Sequence, residues 1–120
     1  MITNKEVEAF IEEWCNLYPE NIEFNGNKLK AKPKDVLNKM QKFCRAHPSY
    51  TKEVIFAATK MYLRNQSERN WDYTKMATYF ISKLGQPSIL EGYCEKILEL
   101  KNHSVSVGDA FYSQNTTDFI

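Results

Sequence analysis

Two histidines and three cysteines are the side chains of this sequence that most often carry nucleophilic chemistry. A catalytic Ser, Cys or Thr needs a neighbouring general base, usually His, and a third group that orients the base. His47 stands beside a proline, and His103 lies beyond the last predicted helix. Neither position offers such a setting, so we predict no nucleophilic triad.

One cysteine and one histidine have the spacing of a metal-ligand pair. Cys44 and His47 are three residues apart and could share one side of a helix. A structural zinc site needs about four ligands, and the sequence contains no second cluster of ligand residues. We interpret the pair as a core thiol and a turn histidine, and we predict no metal and no other cofactor.

Paired carboxylates and glycine-rich loops are the remaining signs of an active site. Glu12 with Glu13 and Glu95 with Glu99 fall on the polar faces of predicted helices, whereas catalytic carboxylates need burial or a charged partner. The four glycines are scattered, so they form no phosphate-binding loop. We predict that the protein is not an enzyme.

The strongest polar feature is a basic segment at residues 28–45, which carries seven basic side chains and one acidic side chain. Such a cluster could follow nucleic-acid phosphates or bind an acidic protein surface. Alternatively, the cluster folds against the glutamates of the first helix or simply keeps the protein soluble, since the net charge of the whole chain is only +1. The candidate binding residues are Lys30, Lys32, Lys34, Lys39, Lys42 and Arg45.

Aromatic and cationic side chains alternate between residues 62 and 75, as on surfaces that stack single nucleic-acid strands. The alternative is packing, in which Trp71 and Met76 form a hydrophobic staple and Tyr73 is a core residue. The set comprises Tyr62, Arg64, Arg69, Trp71, Tyr73 and Lys75.

The last dozen residues carry aromatic and aliphatic side chains in a polar context. Each large apolar side chain gains about 1.5–3 kcal/mol when it is buried. We therefore expect this tail to dock, either in a partner's pocket or on the protein's own helices. The candidate partner-binding residues are Phe111, Tyr112, Asp118, Phe119 and Ile120.

The elements that must position these groups are predicted to be helices. A capping box at Thr3 and Glu6 starts the first helix, which runs to about Leu17. Asn25 and Gly26 favour a tight turn, so a small β-hairpin is predicted near residues 22–30. The second helix begins at Pro33 and ends at His47.

Three further helices follow. The third is capped by Thr51 and runs to about residue 64, with a polar loop at 65–70. The fourth is capped by Asp72 and stopped by Gly85, with its buried line at Tyr73, Met76, Ala77, Phe80 and Leu84. The fifth starts with a second capping box, at Ser88 and Glu91, and fades near residue 101.

We therefore predict a mostly α protein, a compact bundle of about five helices at residues 1–101 with a flexible C-terminal tail at residues 102–120. The length suits one domain, and 42% hydrophobic residues suffice for a packed core. The three cysteines lie on apolar helix faces, so we expect them to be free and buried. The opening residues lack the features of a signal peptide, and no apolar run approaches the ~20 residues of a membrane span, so we expect a cytoplasmic protein.

Several segments resemble phage proteins. The stretch from His47 to Glu95, which includes Ala-Ala-Thr-Lys-Met-Tyr and Ala-Thr-Tyr-Phe-Ile-Ser-Lys, is similar to small helical proteins of tailed phages. Leu-Tyr-Pro at 17–19 and the later Tyr-Phe-Ile are similar to phage replisome organisers and helicase loaders. The terminal Thr-Thr-Asp-Phe-Ile resembles the sliding-clamp-binding peptide of phage late-transcription coactivators, although Thr117 stands where that motif usually has leucine.

The resemblance implies a non-enzymatic adaptor that works in the cytoplasm of a host cell. Its folded part would bind a component of the replication or transcription machinery, such as a polymerase, a sliding clamp or a helicase, and Asp118, Phe119 and Ile120 would contact the clamp. Two alternatives remain open: a nucleic-acid-binding protein that uses the 28–45 segment, and a small inhibitor of a host or defence enzyme. The oligomeric state is left open.

Overall fold

A computed structural model describes residues 1–24 and 26–107, with residues 24, 27 and 103–107 described by their backbone alone. Within these residues the chain forms five helices and one antiparallel two-stranded ribbon, which confirms the predicted mostly α fold and the predicted hairpin. The order is α1 (Asn4–Cys15), β1 (Glu23–Phe24), β2 (Asn27–Lys28), α2 (Pro33–Ala46), α3 (Lys52–Glu68), α4 (Ala77–Ile81) and α5 (Ile89–Val107).

The first helix begins with the predicted capping box. The Thr3 hydroxyl accepts a hydrogen bond from the Glu6 amide at 3.1 Å, and the Glu6 carboxylate accepts one from the Thr3 amide at 2.7 Å. The helix ends at Cys15, two residues earlier than predicted. The amides of Leu17 and Tyr18 bond three residues back, in a tighter turn. Trp14, on the buried face, donates its indole N–H to the Thr59 hydroxyl of α3 at 2.9 Å.

The hairpin is hydrogen-bonded to the start of α4. Gly26 has φ 80°, the left-handed conformation that this tight turn requires. Leu29 follows β2 and is fully buried. Its amide donates to the Ile22 carbonyl at 3.1 Å, and its carbonyl accepts from the Ala77 amide at 2.9 Å. A two-stranded ribbon is only marginally stable by itself. The bond from the Ala77 amide joins it to the start of α4.

The predicted starts of α2 and α3 are confirmed. Pro33 occupies the first turn of α2, and Thr51 caps α3 by accepting a hydrogen bond from the Val54 amide at 3.1 Å, as predicted. The predicted end of α3 near residue 64 is wrong, because α3 continues to Glu68. Gln66 lies within that extension and is buried. The polar residues after 64 therefore form one more turn of the helix, with Gln66 on its buried face.

The last two helices close the core. Phe80 of α4 stacks on Tyr62 with ring centroids 4.5 Å apart and lies 6.5 Å from the Trp14 ring. The Ser88 hydroxyl accepts from the Glu91 amide at 3.1 Å, but the Glu91 carboxylate lies near His47, so the structure shows one of the two capping-box bonds. α5 packs on α3 and α4 and continues to Val107, beyond its predicted end.

Candidate interaction surface

The structure divides the predicted basic cluster. Arg45 donates to the Asn4 side chain at 2.8 Å, and Lys30 pairs with Glu20 at 3.5 Å. Lys39 donates to two backbone carbonyls of the α4 region. Three of the six residues therefore have partners inside the fold. The other three, Lys32, Lys34 and Lys42, are exposed.

Neutralisation by the first helix, one of the two alternatives considered for this cluster, is not observed in the part of the chain that the structure describes. The glutamate of α1 that forms an ion pair there is Glu13, and its partner is Lys52 of α3, at 3.4 Å. The exposed lysines of α2 form no ion pair with any described residue. Their charge therefore faces solvent.

A second cationic group surrounds Tyr79, which lies on the outer side of α4. At the end of this short helix the Lys39 ammonium donates to the carbonyls of Thr78 at 3.0 Å and Ser82 at 2.8 Å. The Thr78 carbonyl also accepts the last helical bond, from the Ser82 amide at 3.3 Å. The same ammonium lies 5.3 Å from the centre of the Tyr79 ring, and the Lys83 ammonium lies 4.8 Å from it. These distances are typical of cation–π contacts.

Leu84 stands beside this group and is fully exposed. The chain turns back at residues 83–86, where the Gln86 amide donates to the Lys83 carbonyl at 3.0 Å and Gly85 has φ 80°. The prediction that Leu84 lies on a buried helix line is therefore wrong, because α4 ends at Ile81 and Gly85 belongs to the turn. We call Lys39, Tyr79, Lys83 and Leu84 the Tyr79 surface.

The segment before α4, residues 69–76, is here called the Tyr73 loop. The prediction that Asp72 caps a helix is wrong, because three non-glycine residues of this loop have left-handed backbone: Asn70 at φ 56°, Trp71 at φ 63° and Tyr73 at φ 57°. Such a conformation costs an L-residue roughly 1–2 kcal/mol. The predicted staple of Trp71 with Met76 therefore has no helix start to support, and α4 begins at Ala77.

Gln66 holds the Tyr73 loop in this conformation. Its buried side-chain amide donates to the Asp72 carbonyl at 3.1 Å and to the Thr74 hydroxyl at 2.9 Å. Its backbone carbonyl accepts from the Trp71 amide at 2.7 Å. The Lys75 amide donates to the buried Tyr62 hydroxyl at 2.8 Å, which fixes the other end of the loop.

The result of this arrangement is an exposed aromatic ring. Tyr73, predicted to be a core residue, is 82% exposed, whereas Tyr62 from the same predicted set is buried and Trp71 packs on the core as predicted. Tyr79 is 41% exposed. Among the described side chains, the large exposed apolar groups are Met1, Tyr73, Tyr79 and Leu84, and the last three lie within one stretch of sequence, residues 73–84.

His47 belongs to a structural cluster where α2 meets α5. Its ring stacks on Tyr50, with centroids 4.9 Å apart and planes 14° apart, and its Nε2 lies 3.8 Å from the Glu91 carboxylate. The Tyr50 hydroxyl donates to Glu95. Cys44 is buried nearby, and the described residues contain no group of three or more ligands suited to a metal ion.

The cysteines are all free and buried, as predicted. Burial raises the pKa of the Cys15 and Cys44 thiols to about 11 and that of Cys94 to about 12. A nucleophilic cysteine needs a lowered pKa, because the thiolate is the reactive form. The geometry therefore gives these thiols a packing role.

The predicted tail residues Phe111, Tyr112, Asp118, Phe119 and Ile120 lie outside the described residues. Sequence reasoning missed Tyr79, Lys83 and Leu84 as surface groups. The signal available was Gly85-Gln86-Pro87, which is typical of a turn and places Leu84 directly before it.

No helix among residues 1–24 and 26–107 has the length and apolar character that crossing a membrane demands. Comparison with protein-family models, curated proteins and solved structures finds no match to this chain.

Proposed function

We propose that the protein is a non-enzymatic adaptor and that it binds a protein partner through the Tyr79 surface. The observation that carries the proposal is the full exposure of Leu84 on a hydrogen-bonded turn. Transfer of a leucine side chain from water into an apolar pocket contributes about 1.5–3 kcal/mol. Leu84 is therefore suited to be the anchor of an interface.

The charges around Leu84 indicate the chemistry of the partner. Lys83 precedes it in the turn, and Lys39 is held in place by the carbonyls of Thr78 and Ser82. Protein interfaces commonly combine a buried apolar or aromatic anchor with a polar rim. We expect the partner to offer an apolar pocket with acidic side chains at its edge.

Two observations support a binding role rather than catalysis. The thiols have raised pKa values, so they are poor nucleophiles near neutral pH. The His47 ring stacks on Tyr50, and its Nε2 lies near the Glu91 carboxylate. The histidine thus links the end of α2 to α5.

The resemblance to phage proteins suggests which partners to examine first. A polymerase, a sliding clamp or a helicase component is the partner class that we propose for the folded part. Asp118, Phe119 and Ile120 remain candidates for a second contact. Under this proposal the tail and the Tyr79 surface contribute separately to binding.

The test begins with co-purification of the tagged protein from its native host and identification of the proteins that accompany it. Each identified partner is then purified and titrated by calorimetry with Leu84→Asp. Loss of the leucine anchor should weaken binding by about 10- to 150-fold. Lys101→Gln is the matched control, because it makes the same change of charge at an exposed position on α5.

Deletion of residues 109–120 tests the second contact with the same partner. We expect a further loss of affinity in the deletion variant and an unchanged circular dichroism spectrum. Equal affinity of Leu84→Asp and the unaltered protein for every identified partner would show that the Tyr79 surface is not the binding surface.

A further inference from the structure

We propose that the Tyr73 loop is a second binding site, distinct from the Tyr79 surface, and that its ligand is a single nucleic-acid strand. The Tyr73 ring stacks on one base, and Arg69 and Lys75 contact the neighbouring phosphates.

The conformation of the loop is the first argument. Left-handed backbone at three non-glycine residues is unfavourable, and it persists only where the surroundings enforce it. Gln66 and Tyr62 enforce it here from the buried side, through hydrogen bonds of 2.8–3.1 Å to the loop. The strained backbone therefore presents a tyrosine ring that is 82% exposed.

The anchored backbone makes this position suitable for stacking. A base that binds a mobile loop must also order the loop, which reduces the affinity. The backbone of Tyr73 lies between two anchored positions, since the Asp72 carbonyl is bonded to Gln66 and the Lys75 amide is bonded to Tyr62. Stacking on an aromatic ring accepts any base, because every base has a π face.

The surrounding cations are the second argument. Arg64, Arg69 and Lys75 take no part in the ion pairs of the part of the chain that the structure describes. The bond from the Ala77 amide to the Leu29 carbonyl places the β2 end of the hairpin, with the exposed Lys28, beside the end of the loop. The acidic side chains between residues 64 and 75 are Glu68 and Asp72, so the net positive charge of this segment is small.

This chemistry favours a single strand over a duplex. Bases in a duplex are stacked on each other, so a ring that projects from a loop reaches a base face only where the strand is unpaired. A protein ligand that uses the loop is the competing outcome, and the experiment below separates the two.

The test is fluorescence anisotropy with a labelled oligothymidylate of about 15 nucleotides, near the upper limit of the site sizes of single-strand-binding domains. Tyr73→Ala should weaken binding by about 5- to 150-fold, and Tyr73→Phe should bind within about twofold of the unaltered protein, because it keeps the ring. Tyr79→Ala is the matched control: it removes an exposed ring from the neighbouring surface and should leave the affinity unchanged.

Gln66→Ala tests the positioning role of the buried amide. This variant keeps the Tyr73 ring but releases the loop, so it should lose affinity while its circular dichroism spectrum stays helical. With two phosphate contacts, from Arg69 and Lys75, the logarithm of the association constant should fall with the logarithm of salt concentration with a slope of about −1.4.

Four results would overturn the proposal. The first is no binding of the oligonucleotide by the unaltered protein at low salt. The second is equal affinity of Tyr73→Ala and the unaltered protein. The third is equal affinity of the unaltered protein for the oligonucleotide and for its duplex with the complementary strand. The fourth is a requirement for Tyr73 in binding an identified protein partner and not in binding the oligonucleotide. Loss of binding in Leu84→Asp alone would concern the adaptor proposal and leave this one standing.

Discussion

Replacement of Tyr73 by glycine should make the protein more stable than replacement by alanine. Both variants remove the exposed ring, but alanine keeps the unfavourable left-handed backbone at φ 57° whereas glycine adopts it freely. The relief amounts to roughly 1–2 kcal/mol, and the greater freedom of glycine in the unfolded chain offsets about 0.5–1 kcal/mol of it. The net difference should be about 0.5–1 kcal/mol in favour of Tyr73→Gly.

The assay is urea denaturation followed by circular dichroism at 222 nm (roughly the helix minimum), with both variants measured side by side. With a slope near 1.5 kcal/mol per molar urea, the midpoint of Tyr73→Gly should lie about 0.3–0.7 M above that of Tyr73→Ala. The comparison between the two variants cancels the loss of the ring, so the difference reports the backbone alone.

Tyr79 supplies the matched control, because it is also partly exposed but lies within α4. In a helix, glycine is less stable than alanine by about 1 kcal/mol, so Tyr79→Gly should unfold at lower urea than Tyr79→Ala. The two positions should therefore give differences of opposite sign. If Tyr73→Gly is no more stable than Tyr73→Ala, the loop is not strained at this residue, and the first argument for a nucleic-acid site fails.

Three further predictions concern the core and its thiols. Thr59→Val removes the acceptor of the Trp14 indole N–H, so it should lower the free energy of unfolding in urea by about 1–3 kcal/mol. Thr59→Ser keeps the hydroxyl and should lower it less. Equal losses of stability in the two variants would assign the effect to packing. Tyr18→Phe should raise the free energy of unfolding by about 1 kcal/mol, because the buried Tyr18 hydroxyl has no hydrogen-bond partner among the described residues; a loss of stability would indicate a partner. Burial raises the pKa of all three thiols above their ordinary 9.0, and it also raises the pKa of Tyr18, Tyr50 and Tyr62. The contribution of these groups to stability should therefore be constant below about pH 9 and be lost as the pH rises towards 11 and 12, since the unfolded chain loses these protons first; unfolding midpoints measured across that range check the sign, and a rise would contradict it.

Most of the helical framework could be predicted from local chemistry. The helix caps are examples: Thr3 with Glu6, and Thr51 at the start of α3, bond backbone amides only a few residues away. A short stretch of sequence is therefore enough to predict them. The Asn25-Gly26 turn is local in the same sense. Such signals hold because no distant group is needed to complete them.

The Tyr73 loop could not be predicted because its partners are buried side chains of α3. Asp72 before an apolar run is a good cap by local rules, but Gln66 takes the Asp72 carbonyl and holds the chain in another conformation. A buried glutamine looks like any loop glutamine in a sequence. Tyr73 and Leu84 were both assigned to this helix, but α4 begins at Ala77 and ends at Ile81, so both residues lie outside it and are exposed.

The basic cluster shows a different limit. Counting charges along residues 28–45 identified the segment but could not show that Lys39 completes the end of α4 or that Arg45 contacts Asn4. These uses depend on which helices are neighbours, and the neighbours are set by the packing of apolar faces. Charge density in a sequence therefore overestimates the charge that a folded surface offers to a ligand.

The bond between the Leu29 carbonyl and the Ala77 amide also has a consequence for synthesis on the ribosome. Chains emerge from the N-terminus at about 5–20 residues per second, so the hairpin leaves the tunnel seconds before its partner does. Until α4 arrives, the Leu29 carbonyl has only water to bond, and the apolar faces of α1 and α2 lack their cover. The nascent N-terminal half thus exposes apolar surface for seconds before the rest of the domain can bury it.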